Sequence, residues 1–234
     1  MLDDSRPFIS PATSNASASW IEPRLSGFAK SVVSYVPDGF EAYARIFHPA
    51  SLSCEVIEKR VLWRDVAEAA GFVPHHQMQW TEISGDNEWG TGGSELVDVW
   101  TQAPSTGTLT PTLAKTLYTE LESRTTTPER CWFAVWGGYG YLNPIARSAT
   151  SFTLPERELH LLQGSVKSIN VTFADQLWIY QSANLWWPDD RAWCVASPID
   201  LMSTYIGANA DTIASLLENP VIEIYQVSPS DRVS

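Results

Sequence analysis

Basic residues, cysteines and long apolar runs are all scarce in this chain of 234 residues. It carries 15 Lys and Arg against 27 Asp and Glu, which gives a formal net charge of −12. Nucleic-acid binding draws on clustered Lys and Arg, so this balance argues against a nucleic-acid partner. No apolar run reaches the roughly 18 residues that suggest a membrane helix. The first thirty residues also lack the pattern of a secretory signal. We therefore expect a cytoplasmic protein that does not associate with membranes.

The chain has only three cysteines, Cys54, Cys131 and Cys194, at wide spacing. An odd, scattered set is typical of reduced thiols rather than of a disulfide framework. Cys131 and Cys194 lie in apolar segments, where cysteine usually acts as a small buried hydrophobe. Phosphate-loop, nucleophile-elbow and calcium-loop motifs are all missing from the sequence. The sequence therefore predicts neither a cofactor nor a metal site.

Strand patterns outnumber helix patterns. Apolar and polar residues alternate over 39–47, which predicts a half-buried strand, and the apolar run 131–136 predicts a central strand buried on both faces. Helices are predicted at 63–70, after the N-cap Thr110, and after the N-cap Asn209, with Ile213, Leu216 and Leu217 facing inward. Further strands are predicted at 158–162, 176–180, 191–196, 202–206 and 221–227. Because the strands are not separated one by one by helices, we expect an α+β fold with a mostly antiparallel sheet and a few packed helices.

The domain organisation follows from composition. Residues 1–19 are rich in Ser, Ala, Pro and Asn and have no apolar periodicity. Such a segment is predicted to be a flexible leader. No linker is visible after it, so residues 20–234 are predicted to form a single globular α+β domain.

The eleven tryptophans supply the candidate binding residues. Four of them, Trp132, Trp136, Trp178 and Trp193, lie in predicted strands, where large aromatic residues usually fill a core. Adjacent tryptophans at 186 and 187 stand in a loop-like stretch and cannot easily both point into one core. One interpretation packs them at a corner with Pro188 as a rigid turn. The other makes them part of an interaction surface. That candidate surface comprises Trp186, Trp187, Asp189, Asp190 and Arg191.

Acidic residues fall in two stretches that contain no Lys or Arg, residues 65–114 and 192–231. The acidic residues in them are Asp65, Glu68, Glu82, Asp86, Glu88, Glu95, Asp98, Asp200, Asp211, Glu218, Glu223 and Asp231. A coherent negative surface beside an exposed indole would steer and hold a basic protein. We therefore expect a non-enzymatic binding protein of the inhibitor, immunity or adaptor type.

Two alternatives stay open. A hydrolase could use His75 or His76 with Asp or Glu side chains of the acidic loop region, although neighbouring histidines on an extended segment point to opposite faces. The adjacent carboxylates of Asp189 and Asp190 could serve chemistry, but an ion pair with Arg191 is the simpler interpretation. The number of tryptophans also suits an aromatic-lined binder of small molecules or carbohydrates.

Four strings carry a resemblance to a known group of proteins: residues 40–49 (FEAYARIFHP), 127–136 (TPERCWFAVW), 186–196 (WWPDDRAWCVA) and 199–207 (IDLMSTYIG). Together they resemble an uncharacterised family of soluble actinobacterial proteins over about residues 35–227. The resemblance implies a single cytosolic domain. It assigns no activity, cofactor or partner, and no residue role.

Overall fold

The computed structural model describes residues 8–54, 57–86 and 96–233. This part of the chain contains eleven β-strands and five α-helices. The strands are β1 (Ile9–Pro11), β2 (Ala42–Phe47), β3 (Ala50–Cys54), β4 (Ile57–Val61), β5 (Cys131–Trp136), β6 (Ser151–Leu154), β7 (Arg157–Gly164), β8 (Leu185–Pro188), β9 (Trp193–Ala196), β10 (Ser203–Ala208) and β11 (Ile224–Val227). The helices are α1 (Trp63–Ala69), α2 (Trp80–Ser84), α3 (Pro111–Glu122), α4 (Pro144–Arg147) and α5 (Ala210–Leu217).

Nine of the strands form one sheet, in the order β1-β7-β5-β8-β9-β10-β2-β11, with β6 also paired to β7. Every pairing in this sheet is antiparallel. Strands β3 and β4 form a separate two-stranded sheet. The prediction of an α+β fold with a mostly antiparallel sheet is confirmed.

Both faces of the large sheet are covered. On one face Phe133 and Trp186 pack in a cluster that also takes Leu117 of α3 and Ile213 of α5. On the opposite face a second cluster joins strand residues to the segment that precedes β2. Antiparallel sheets often leave one face to solvent. This sheet does not, so β5 is a central strand with residues of both faces buried, as predicted. The prediction of a half-buried β2 is wrong, because all six of its residues are buried.

The segment before β2 supplies the second cover. Ile9 of β1 pairs with Gly164 of β7, and Ala12 and Ala18 are buried. Part of the predicted leader thus packs on the sheet, because Ala12 and Ala18 lie in the cluster on its second face. The prediction of a flexible leader over residues 1–19 stays a prediction. Residues 1–7 lie outside the described residues. The prediction of a single domain over residues 20–234 stays a prediction.

Local capping signals place the helices. The Thr110 side chain accepts a hydrogen bond from the Leu113 backbone N–H, and the Asn209 side chain accepts one from the Thr212 N–H at 2.8 Å. Both caps satisfy a backbone donor that the first helical turn leaves free. One detail of the prediction is wrong: Leu217, at the end of α5, is 36% exposed instead of facing inward.

Candidate functional site

The two tryptophans of the predicted surface are both buried. Trp186 is 0% exposed and Trp187 is 1% exposed. Successive residues of strand β8 point to opposite faces, so the Trp186 indole packs edge-on against Trp193 at 4.9 Å between ring centroids. The Trp187 indole packs edge-on against Trp20 at 6.2 Å on the other side. The expectation of an exposed indole here is wrong, because each tryptophan enters a different core.

The other three residues of the predicted surface form the turn between β8 and β9, and all three are exposed. The Arg191 N–H donates to the Pro188 carbonyl at 2.9 Å, and Arg191 has a positive φ of 57°. Its guanidinium lies 5.2 Å from the Trp20 ring centroid. Pro188 is the last residue of strand β8, so the two tryptophans pack from a strand and not from the corner that the alternative interpretation gave them.

The carboxylates of the turn have local partners. Asp189 accepts from the Trp132 indole N–H at 3.1 Å and pairs with Arg130 at 3.2 Å. Asp190 accepts from the backbone N–H and the hydroxyl of Thr126, both at 2.7 Å. Burial alone would raise the pKa of Asp190, but these hydrogen bonds and one from Thr125 outweigh it and hold the pKa below its ordinary value. These two carboxylates fasten the turn to the chain between α3 and β5.

Three acidic residues of the two Lys- and Arg-free stretches have local structural roles. Glu223 accepts hydrogen bonds from the Trp63 and Arg64 N–H groups at 2.6 and 2.8 Å, at the start of α1. Asp231 lies 3.4 Å from the His76 imidazole, and Asp211 lies in the first turn of α5. Of the other predicted acidic residues, Glu88 and Glu95 lie outside the described residues. The expectation of one coherent acidic surface stays a prediction.

The histidines and cysteines give little support to the hydrolase alternative. His76 contacts Asp231 while its own side chain is 42% exposed, and the His75 ring lies 6.5 Å from that of His76. Within the described ranges no group of three or more His, Cys, Asp or Glu could hold a metal ion. Burial raises the pKa of the Cys131 thiol to about 12, and it raises that of the Cys194 thiol further. Both thiols are free and buried, so neither is an activated nucleophile.

An exposed apolar loop takes the place of the predicted surface. Leu177 is 102% exposed and Trp178 is 82% exposed. The strand predicted over 176–180 is wrong, because the chain makes a turn there, with the Ile179 N–H donating to the Gln176 carbonyl at 3.1 Å. A monomeric protein in water usually covers a leucine and a tryptophan that adjoin each other. We call residues 175–180 the Leu177–Trp178 loop.

Hydrogen bonds fix both ends of the Leu177–Trp178 loop to the fold. The Phe173 N–H donates to the Gln181 carbonyl at 2.8 Å, which closes the base of the loop. The Asp175 N–H donates to the Tyr141 carbonyl at 2.8 Å, and the Asp175 carboxylate pairs with Arg147 at 3.3 Å. The two apolar side chains therefore project from an anchored base with charged residues beside it.

Sequence reasoning missed this loop because its apolar run, Leu-Trp-Ile-Tyr, resembles a short strand. The polar pairs Asp175-Gln176 and Gln181-Ser182 bound the run, but such residues flank strands as well as turns. The sequence pattern predicts a buried Trp178 and an exposed indole at Trp186 or Trp187. The structure has the reverse, with Trp178 exposed and the other two buried.

A second surface feature lies beside Asp189. Phe8, 74% exposed, and Trp132 line an open groove together with Ser10, Gln163 and Asp189. This groove is aromatic and polar at once, so it leaves open the alternative of an aromatic-lined small-molecule binder.

Comparison of the chain with protein-family models, with curated proteins and with solved structures finds no match. The resemblance to actinobacterial proteins stays a prediction. Among the described helices none is long and apolar enough to cross a membrane.

Proposed function

We propose that this protein binds a basic protein partner, and that the Leu177–Trp178 loop is the centre of the contact. The observation that carries the proposal is the exposure of Leu177 and Trp178, at 102% and 82%. Tryptophan is among the residues that contribute most to protein–protein affinity, and such residues work best when a polar rim excludes water around them. The Asp175–Arg147 ion pair at the loop base supplies part of such a rim.

The charge of the chain supports the choice of partner. A net charge of −12 attracts basic proteins over distances of about a Debye length and repels a second copy of the same chain. Charge of this kind raises the association rate, while the buried apolar contact slows dissociation. A basic protein with an apolar pocket for Trp178 therefore suits this surface.

The test uses three tagged baits in a lysate of the cells in which the protein is native: the unchanged protein, the double variant Leu177→Ser/Trp178→Ala, and Val73→Ser. Val73 is 81% exposed and lies elsewhere in the sequence, so its variant controls for the loss of any exposed apolar side chain. We expect a basic protein to be held by the unchanged protein and by Val73→Ser, and to be lost with the double variant.

The purified pair then gives the affinity. A loss of about 2 kcal/mol, the lower bound for a hot-spot residue, weakens binding about 30-fold for Trp178→Ala. Affinity should also fall as salt is raised. Equal capture by the double variant, or a captured protein that is not basic, would overturn the proposal. Sedimentation of the free protein completes the test, because a dimer broken by Trp178→Ala would assign the loop to self-association instead.

A further inference from the structure

Arg157 is a cation with few partners. Of its five N–H groups, the structure pairs one, on Nη2, with the Ser34 carbonyl at 3.2 Å. Its Nε is buried and has no hydrogen-bond partner within the described residues. No carboxylate of the described chain lies within ion-pair distance of it. Buried donors in native proteins are nearly always satisfied, so an unpaired guanidinium nitrogen calls for an explanation.

Arg45 provides an internal comparison. It is more deeply buried than Arg157, at 2% exposure, and it too lacks a carboxylate within ion-pair distance in the described chain. Its Nε donates to the Ser203 hydroxyl at 3.1 Å, and its Nη1 donates to the carbonyls of His76 and Met78 at 3.1 and 2.9 Å. The Nε of Arg45 is thus paired within the fold, whereas the Nε of Arg157 is not.

Aromatic rings hold the Arg157 guanidinium in place. Its Cζ lies 4.7 Å from the ring centroid of Tyr35 and 5.3 Å from that of Phe28. These contacts stabilise the cation. The charge of Asp200 also acts on Arg157, although the two side chains form no ion pair. Burial lowers the pKa of Arg157, so a bound negative charge would offset a real cost.

Arg157 also lines a small pocket at the sheet, together with Tyr35, Trp136, Asn184 and Ser197. The amide nitrogen of Asn184 already donates to the Gly107 and Ser197 carbonyls, whereas the Nε of Arg157 has no partner within the described residues. The interior space amounts to about 20 Å³. That is room for about one water-sized group, so the pocket suits a monatomic anion rather than a molecular one.

We propose that this pocket binds a chloride ion through the guanidinium of Arg157. The guanidinium is always charged and carries five N–H donors, so it can donate to a single anion beside it. The site does not depend on the proposed function of the Leu177–Trp178 loop.

The first measurement follows the Nε–H resonance of Arg157 by NMR, assigned through its loss in Arg157→Gln. In separate titrations, sodium chloride or sodium acetate replaces the sodium salt of a bulky sulfonate step by step, so that the ionic strength stays constant. We expect a saturable shift of this resonance with chloride and none with acetate, which is too large for the pocket. No shift with chloride, or an equal shift with acetate, would overturn the proposal.

The second measurement is the Tm in the chloride titration, because an anion that binds only the folded chain stabilises it. Tm should rise to a plateau in the unchanged protein and in Arg191→Gln, which removes an exposed arginine that also lies over an aromatic ring. It should stay constant in Arg157→Gln. An equal rise in Arg157→Gln would mean a general salt effect and would refute the site. If Arg157→Gln does not fold, Ile199→Phe is the second variant, because Ile199 also lines the pocket. It fills the pocket while it keeps the arginine, and the same loss of the plateau is expected.

Discussion

Trp187 and Trp178 differ in burial, and this difference predicts opposite effects on stability for the same substitution to alanine. Trp187 is 1% exposed, so Trp187→Ala leaves a cavity and should cost about 3–5 kcal/mol of folding free energy. For a chain of this length, that corresponds to a fall in Tm of about 6–20 °C. Trp178 is 82% exposed, and Trp178→Ala should change the folding free energy by about 0.5 kcal/mol or less.

Urea unfolding followed by far-ultraviolet circular dichroism measures both values without relying on tryptophan fluorescence. The midpoint should fall steeply for Trp187→Ala and stay near that of the unchanged protein for Trp178→Ala. Leu177→Ala serves as a second exposed control. If Trp178→Ala destabilises the fold as much as Trp187→Ala does, the loop is packed against the protein, and it is not a free docking surface.

Three further predictions concern the fold. Burial, together with the charge of Arg45, lowers the pKa of His48 to about 4 from 6.5, so the unfolded chain binds a proton that the folded chain does not. The contribution of the neutral His48 to the free energy of unfolding should therefore be complete above pH 6.5 and fall by roughly 3 kcal/mol as the pH drops through 4. Urea unfolding across this range should show a smaller dependence on pH in His48→Gln. Asn209→Ala removes the cap of α5 and should cost about 1 kcal/mol in urea unfolding, and a neutral result would show that the cap contributes nothing. Peptide-resolved alkylation should leave Cys131 and Cys194 unmodified in the folded protein and modify both in urea, and rapid modification of either in the folded state would contradict their burial.

The features that the sequence predicted well are those that neighbouring residues decide. The caps at Thr110 and Asn209 depend on one side chain and a backbone N–H three residues later. The apolar run 131–136 could be identified as a central strand because continuous apolar residues require cover on both faces.

The exposure of individual tryptophans depends on distant residues, and it could not be predicted in the same way. Trp187 is buried because Trp20 and the segment around it cover the second face of the sheet. That segment has no apolar periodicity from which its packing could be predicted. Trp178 is exposed because the hydrogen bond from the Phe173 N–H to the Gln181 carbonyl closes a loop, whereas the apolar pattern favours a strand. The surroundings of the Arg157 guanidinium likewise depend on distant residues, because the rings of Phe28 and Tyr35 are more than 120 residues away in sequence.

Hydroxyl-radical footprinting resolved by peptide tests the location of the docking surface most directly. In the free protein, Trp178 should be oxidised rapidly while Trp186 and Trp187 stay protected. Once the captured basic protein is bound, oxidation of Trp178 should fall sharply while that of the exposed Val73 stays unchanged. Continued rapid oxidation of Trp178 in the complex would contradict a docking surface centred on this loop.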